Sequence, residues 1–114
     1  MSTNTSSQMK KGFLEFCILL IISADEVYAS DILEKLQDAD LLVVEGTLYP
    51  LLSRLKKDNL VTYKWIESEA GPPRKYYQLT PAGEAKLAEL KLAWMELNSS
   101  INKLLISHAK SSDN

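Results

Sequence analysis

One stretch restricts the fold more than any other: Glu45-Gly46-Thr47-Leu48-Tyr49-Pro50-Leu51-Leu52-Ser53-Arg54-Leu55-Lys56-Lys57-Asp58-Asn59-Leu60-Val61. Leu48, Leu51, Leu52 and Leu55 recur three and four apart, which defines one buried face of a helix. Thr47, Tyr49, Pro50, Ser53, Arg54 and Lys57 fall largely off that face. The outward side therefore carries hydroxyls, an aromatic ring and cations, which suit a phosphate-lined groove. Asp58-Asn59 stops the helix, and the pattern then switches to that of a strand. A helix, a tight turn and two strands in this order make the recognition helix, 45–58, and the wing, 67–75, of a winged helix-turn-helix. An ordinary amphipathic helix with a solvated face fits the same spacing.

A chain of 114 residues is one domain with a modest core, and domains this small often gain stability by oligomerising. No apolar run is long enough to cross a membrane, and Met1 to Gln8 lacks the charged-then-apolar order of a secretion signal. The expected compartment is the cytoplasm, with no membrane partner. Cys17 is the single cysteine, which rules out an intramolecular disulfide and gives no metal constellation. No cofactor motif is present. The net charge of −2 argues weakly against nucleic acid, because counterion release favours basic proteins. Local distribution decides more. Arg54 to Lys57 holds three cations and no acid, Arg74-Lys75 adds a pair, and Lys10-Lys11 another, whereas acids gather in Asp25 to Asp40.

Taken in order, residues 1–8 are rich in Ser, Thr and Asn and read as a flexible arm. Met9 to Ser23 reads as a first helix, apolar nearly all round from Phe13 to Ile22, which hints at a partner subunit. Glu15 is the one charge in that run and must reach solvent, a cation or a cavity. Val27-Tyr28 can form a short strand beside the wing. Ser30 to Ala39 reads as a second helix, with Ser30 or Asp31 as its cap and Ile32, Leu33 and Leu36 as its stripe. Leu41 to Val44 is an apolar linker. Pro50 leaves the third helix two possible starts, near Tyr49 or at Glu45. Leu60 to Glu67 alternates as a strand, Ser68 to Pro73 reads as a turn, and Arg74 to Leu79 returns. The winged domain thus occupies 9–79.

Thr80 caps a last helix, 80–108, and Pro81 sits at its first position. Leu87, Leu90, Trp94, Leu97, Ile101 and Leu104 follow one another by 3, 4, 3, 4 and 3, a heptad seam fit for a helix–helix interface. Residues 109–114 form a polar, flexible tail. The fold class is mainly α with a small β-hairpin (α+β): a winged helix-turn-helix plus a long C-terminal dimerisation helix. The chain has one histidine, His108, and neither a nucleophile–histidine pairing nor a glycine-rich phosphate loop, so it is not read as an enzyme.

Three segments together resemble the signature of PadR-like transcriptional regulators, named for the bacterial repressor of phenolic acid decarboxylase. They are Glu45 to Leu55, Asp58-Asn59-Leu60-Val61, and Gly71-Pro72-Pro73-Arg74-Lys75-Tyr76-Tyr77-Gln78-Leu79-Thr80-Pro81-Ala82-Gly83. The match runs from about Lys10 to Leu105. A single helix after the wing is similar to the short subfamily, which includes multidrug-sensing regulators. The resemblance implies a homodimeric bacterial repressor that binds double-stranded DNA at an inverted-repeat operator. It starts the third helix near Glu45. It places Thr47, Tyr49, Ser53 and Arg54 in the major groove, Lys57 near the backbone, and Arg74 and Lys75 on phosphates or the minor groove. Its dimer interface draws on Phe13, Leu14, Cys17, Leu87, Leu90, Trp94, Leu97, Ile101 and Leu104. Trp94, with Leu97 and Glu15, stands where multidrug-sensing members stack planar hydrophobic ligands, so a small-molecule inducer is implied as well.

Two departures stand out. Val44 sits where the family often has a capping Asn or Ser, and Glu67 and Glu69 at the wing tip oppose phosphate. The residues also admit a reading of a different class, a winged helix used as a protein-interaction module without DNA or ligand.

Overall fold

The first helix is the post around which the other elements gather. In the computed structural model, which describes residues 2–41 and 43–112 with side chains for 13–41 and 43–108, α1 spans Ser2–Ala24. Leu14, Ile18, Leu19 and Ile22 are buried by α2 (Ala29–Asp38), the hairpin and α4 (Pro81–Ser112). Phe13 stays exposed and Phe16, Cys17, Leu20 and Ile21 are half-buried, so part of this apolar helix has no cover from its own chain. Residues 2–8, expected as an arm, continue the helix instead. Extending a formed helix fixes one residue at a time, so weak formers such as Ser and Thr can follow a strongly packed segment. The Lys10-Lys11 cluster lies outside the described side chains.

The second helix starts one residue earlier than expected. Tyr28 takes the capping position with an extended backbone, and neither Ser30 nor Asp31 occupies it. Asp31 acts from inside the first turn, its carboxylate accepting the Tyr28 N–H at 3.3 Å. That is the reciprocal half of a capping box.

The third helix, α3, spans Glu45–Lys57 and has no side-chain cap, as Val44 dictates. Pro50 lies inside it. A proline removes the donor to the carbonyl four residues back, here Gly46, and both residues are exposed, so water can take that acceptor. The buried face is Leu48, Leu52 and Leu55, with Leu51 half-buried. Helices α2 and α3 end alike. Leu41 N–H donates to Leu36 at 2.8 Å and Leu60 N–H to Leu55 at 3.0 Å, with Asp40 (φ 63) and Asn59 (φ 61) left-handed between them. This six-to-one closure needs a residue that tolerates positive φ, and short polar side chains do.

The hairpin pairs β1 (Val61–Ser68) with β2 (Gly71–Leu79) in antiparallel register, Val61 opposite Leu79 and Trp65 opposite Lys75. The turn is tighter than expected: only Glu69 and Ala70 lie outside the strands, and Pro72-Pro73 belong to β2. The register slips between Ile66 and Ser68, where Glu67 faces two prolines. Prolines lack the ladder donor and are tolerated at such a bulge. The short Val27-Tyr28 strand is present as a bridge, Tyr77 N–H donating to Val27 at 2.7 Å.

The fourth helix is fixed at its first turn. Thr80 Oγ1 accepts from Gly83 N–H at 2.9 Å and donates to the Asn59 carbonyl at 2.7 Å. The Thr80 N–H donates to Leu60 at 3.1 Å. Gly83 is buried against the Leu60 carbonyl oxygen, which a Cβ there would overlap. The helix continues to Ser112, past the expected end at 108, and Asp113-Asn114 of the expected tail lie outside the described residues. From Lys91 to His108 every residue is exposed. The Cα radius of gyration is accordingly 17.4 Å, against about 13 Å for a compact chain of this length. No described helix is long and apolar enough to cross a membrane.

Candidate nucleic-acid interface

The face of α3 opposite its leucines presents Thr47, Tyr49, Pro50, Ser53, Arg54 and Lys57, all exposed. The wing rises beside it. Tyr49 and Ser53 of α3, Arg74, Lys75 and Tyr77 of β2, and Tyr28, Ala29 and Ser30 at the start of α2 line one open cleft of about 480 Å³. Four of the seven residues expected to meet DNA therefore share a single concavity. Thr47, Arg54 and Lys57 do not line it and lie elsewhere on α3. Tyr28, Ser30 and Tyr77 were not singled out from sequence. The signal that could have found them was the Val27-Tyr28 strand, since its pairing with the wing brings the start of α2 to the same place.

The cleft is cationic and aromatic. The Arg74 guanidinium lies 4.8 Å from the Tyr28 ring centroid, and the Lys75 ammonium 4.2 Å from that of Tyr63. Lys56 approaches Tyr63 from α3 at 5.6 Å. Rings held under these cations fix where the charges sit without neutralising them. The first amides of α2 precede any acceptor within their helix and carry the positive end of its dipole. Hydroxyls from Tyr28, Ser30, Tyr49 and Ser53 add donors. Burial pushes the Tyr77 hydroxyl above its ordinary pKa, and the neighbouring Tyr49 and Tyr63 push it further, so it stays a neutral donor.

Arg54 is the exception. Its Nε lies 3.6 Å from Glu15 Oε1 of α1, an ion pair too long for a hydrogen bond. Glu15 thus reaches a cation on the recognition helix. Neither this cleft nor a second one contains Glu15, Trp94 or Leu97. The second cleft, of about 740 Å³, has Asp25, Glu26 and Glu84 on its border and lies among α1, β2 and α4.

The expected dimer residues divide into two groups. Leu14 and Leu87 are only 6% and 5% exposed and belong to the chain's own core. Cys17 and Leu90 are half-buried. Phe13, Trp94, Leu97, Ile101 and Leu104 remain exposed, the last four along one stripe of α4. The seam thus begins as core and becomes free surface beyond Leu90.

A helix bearing hydroxyls and cations, flanked by a cationic hairpin, defines the winged helix-turn-helix class. More narrowly, the chain belongs to the PadR-like family of transcriptional regulators, whose model, "Transcriptional regulator PadR-like family", matches residues 18–89. It is similar to a PadR-like transcription factor from Bacteroides fragilis, at 57% identity over 89% of this chain and 98% of the other, with a TM-score of 0.75. A PadR-like regulator from Bacillus cereus matches at 42% identity over 86% and 96%, with a TM-score of 0.79. Bacillus subtilis PadR in complex with operator DNA shares the fold at 21% identity, 68% and 45% coverage, and a TM-score of 0.62.

Proposed function

We propose that the protein is a homodimeric bacterial repressor that grips an inverted-repeat operator in the cytoplasm through α3 and the wing, and that it catalyses no reaction. The observation that carries this reading is the cleft joining Tyr49 and Ser53 of α3, Arg74 and Lys75 of the wing, and the first turn of α2. Cations, hydroxyls and helix amides converging on one strip suit a run of backbone phosphates. Phosphate contacts of this kind set register, and Thr47 and Tyr49 on the first turns of α3 then reach base edges. The operator complex formed by the B. subtilis protein supports the reading by likeness of fold.

Dimerisation joins the exposed stripe of Trp94, Leu97, Ile101 and Leu104 to that of a second copy, with Phe13 at its margin. A two-fold axis between the copies sets half-sites about one helical turn apart. A planar hydrophobic inducer stacks on Trp94 beside Leu97 and releases the DNA. Glu15 contributes through its ion pair with Arg54, at the other end of α1's neighbourhood on α3.

The decisive experiment compares wild type with a variant carrying Arg54→Ala and Lys57→Ala across a salt series, using duplex from upstream of the gene. Two lost phosphate contacts should weaken binding and reduce the log–log salt slope by about 1.8. An unchanged slope removes this face from the interface. Absence of any shift at low salt supports a protein-interaction module instead.

A further inference from the structure

We propose that Trp65 is a DNA contact of the wing, packing its indole against the sugar edge of the strand whose phosphate faces Lys75. This rests on the reading of the cleft as the DNA site and adds to it a residue that the cations do not explain.

Trp65 is 63% exposed, a large apolar surface on an otherwise polar hairpin. Strand alternation puts Val61, Tyr63 and Trp65 on one face of β1, opposite Leu79, Tyr77 and Lys75 of β2. At its base this face is core, with Val61 and Tyr77 buried. Towards the tip it opens, and Tyr77 and Lys75 form a wall of the cleft that faces Tyr49 and Ser53. Trp65 is the next surface along that wall. Directly opposed residues in such a ladder stand about 5 Å apart. A duplex groove is roughly 6–12 Å wide, so a backbone seated against Lys75 cannot avoid Trp65.

The indole is also held in place before anything binds. Tyr63 meets it edge-to-face at 6.3 Å between centroids, and the Lys75 ammonium lies 5.4 Å from its ring. A nucleic-acid strand alternates anionic phosphate with apolar deoxyribose edges. An ammonium beside an immobilised indole matches that alternation. Glu67 and Glu69 at the tip repel phosphate, which sets the contact back to the Trp65–Lys75 rung. Trp65 carries no charge, so its contribution releases no counterions.

The test uses the full chain, a fluorescein-labelled mixed-sequence duplex of about three helical turns, and a series of salt concentrations from low to moderate. Anisotropy reports binding, and tryptophan emission reports the indole. The chain has two tryptophans, so in Trp65→Phe only Trp94 emits. We expect emission to change in step with anisotropy in the wild type and not in Trp65→Phe. Trp65→Ala should weaken binding about tenfold with an unaltered salt slope, whereas Lys75→Ala should lower the slope by about one. Trp65→Phe should recover most of the affinity lost in Trp65→Ala. Normal binding by Trp65→Ala together with unchanged emission overturns the proposal while leaving the DNA reading intact. No anisotropy change in any protein overturns both.

Discussion

Removing the charge of Glu15 while keeping its shape, as Glu15→Gln, probes the ion pair that joins the first helix to the recognition helix. The Arg54 side chain is 69% exposed and that of Glu15 38%, with a closest approach of 3.6 Å. A pair this open contributes at most about 1 kcal/mol to folding, so the melting temperature should move by no more than a few degrees. DNA binding should respond differently. A phosphate taken up by Arg54 would stand roughly 7 Å from the carboxylate. At that separation two charges repel by about 0.6 kcal/mol in water, and salt near 0.1 M screens away about half. Glu15→Gln should therefore bind duplex DNA about twofold tighter at 0.1 M salt, and the advantage should vanish near 1 M. Anisotropy titrations of a labelled duplex at several salt concentrations measure this directly. In an Arg54→Ala background the gain should disappear, because no phosphate is then held beside the carboxylate. Weaker binding by Glu15→Gln, or a gain that persists without Arg54, would refute the reasoning.

Three further substitutions address the frame and the assembly. Gly83→Ala forces a methyl group into the Leu60 carbonyl and should cost about 1–3 kcal/mol, visible as a fall of roughly 10 °C in thermal melts followed by circular dichroism. An unchanged melt would mean that α4 can back away from Leu60. Tyr77, raised above the ordinary tyrosine value of about 10 by burial and then by Tyr49 and Tyr63, holds its proton more tightly folded than unfolded. Its contribution is complete below about pH 10 and is lost as pH climbs through the raised value, so Tyr77→Phe should soften alkaline destabilisation. Ile101→Asp with Leu104→Asp should convert a dimer to a monomer in analytical ultracentrifugation while helix content stays unchanged, since both side chains are exposed.

The recognition helix and wing were legible because each depends on local chemistry. Leucine spacing marks the buried face of α3, and Asp58-Asn59 supplies the residue able to enter positive φ at its end. Thr80-Pro81 specifies a capped helix start without reference to anything distant. What escaped detection depended on tertiary partners. Ser30 looks like a cap, but the bridge from Val27 to Tyr77 fixes the chain one step earlier and hands the position to Tyr28. Pro72-Pro73 look like a turn, yet a bulge opposite Glu67 lets both sit in a strand. The heptad seam is continuous in sequence, but Leu87 is captured by the domain's own core, a division that periodicity alone does not reveal. The cleft itself could not be foreseen whole, because the start of α2 joins it only through that single bridge.

The anchorage at Thr80 has a mechanical consequence. The end of α3 and the beginning of α4 are fastened to each other by Thr80, through Asn59 and Leu60, with Gly83 allowing no slack. Beyond that fastening, the eighteen exposed residues from Lys91 to His108 extend for about 27 Å. The helix is thus a rigid arm with a short, clamped end beside the reading surface and a long, free end away from it. Turning such an arm by about 5° moves its far end by roughly 2 Å, so a small adjustment where two arms meet is transmitted as a change of angle at the clamp. Leverage of this kind lets the spacing of two reading surfaces be altered without unfolding either one.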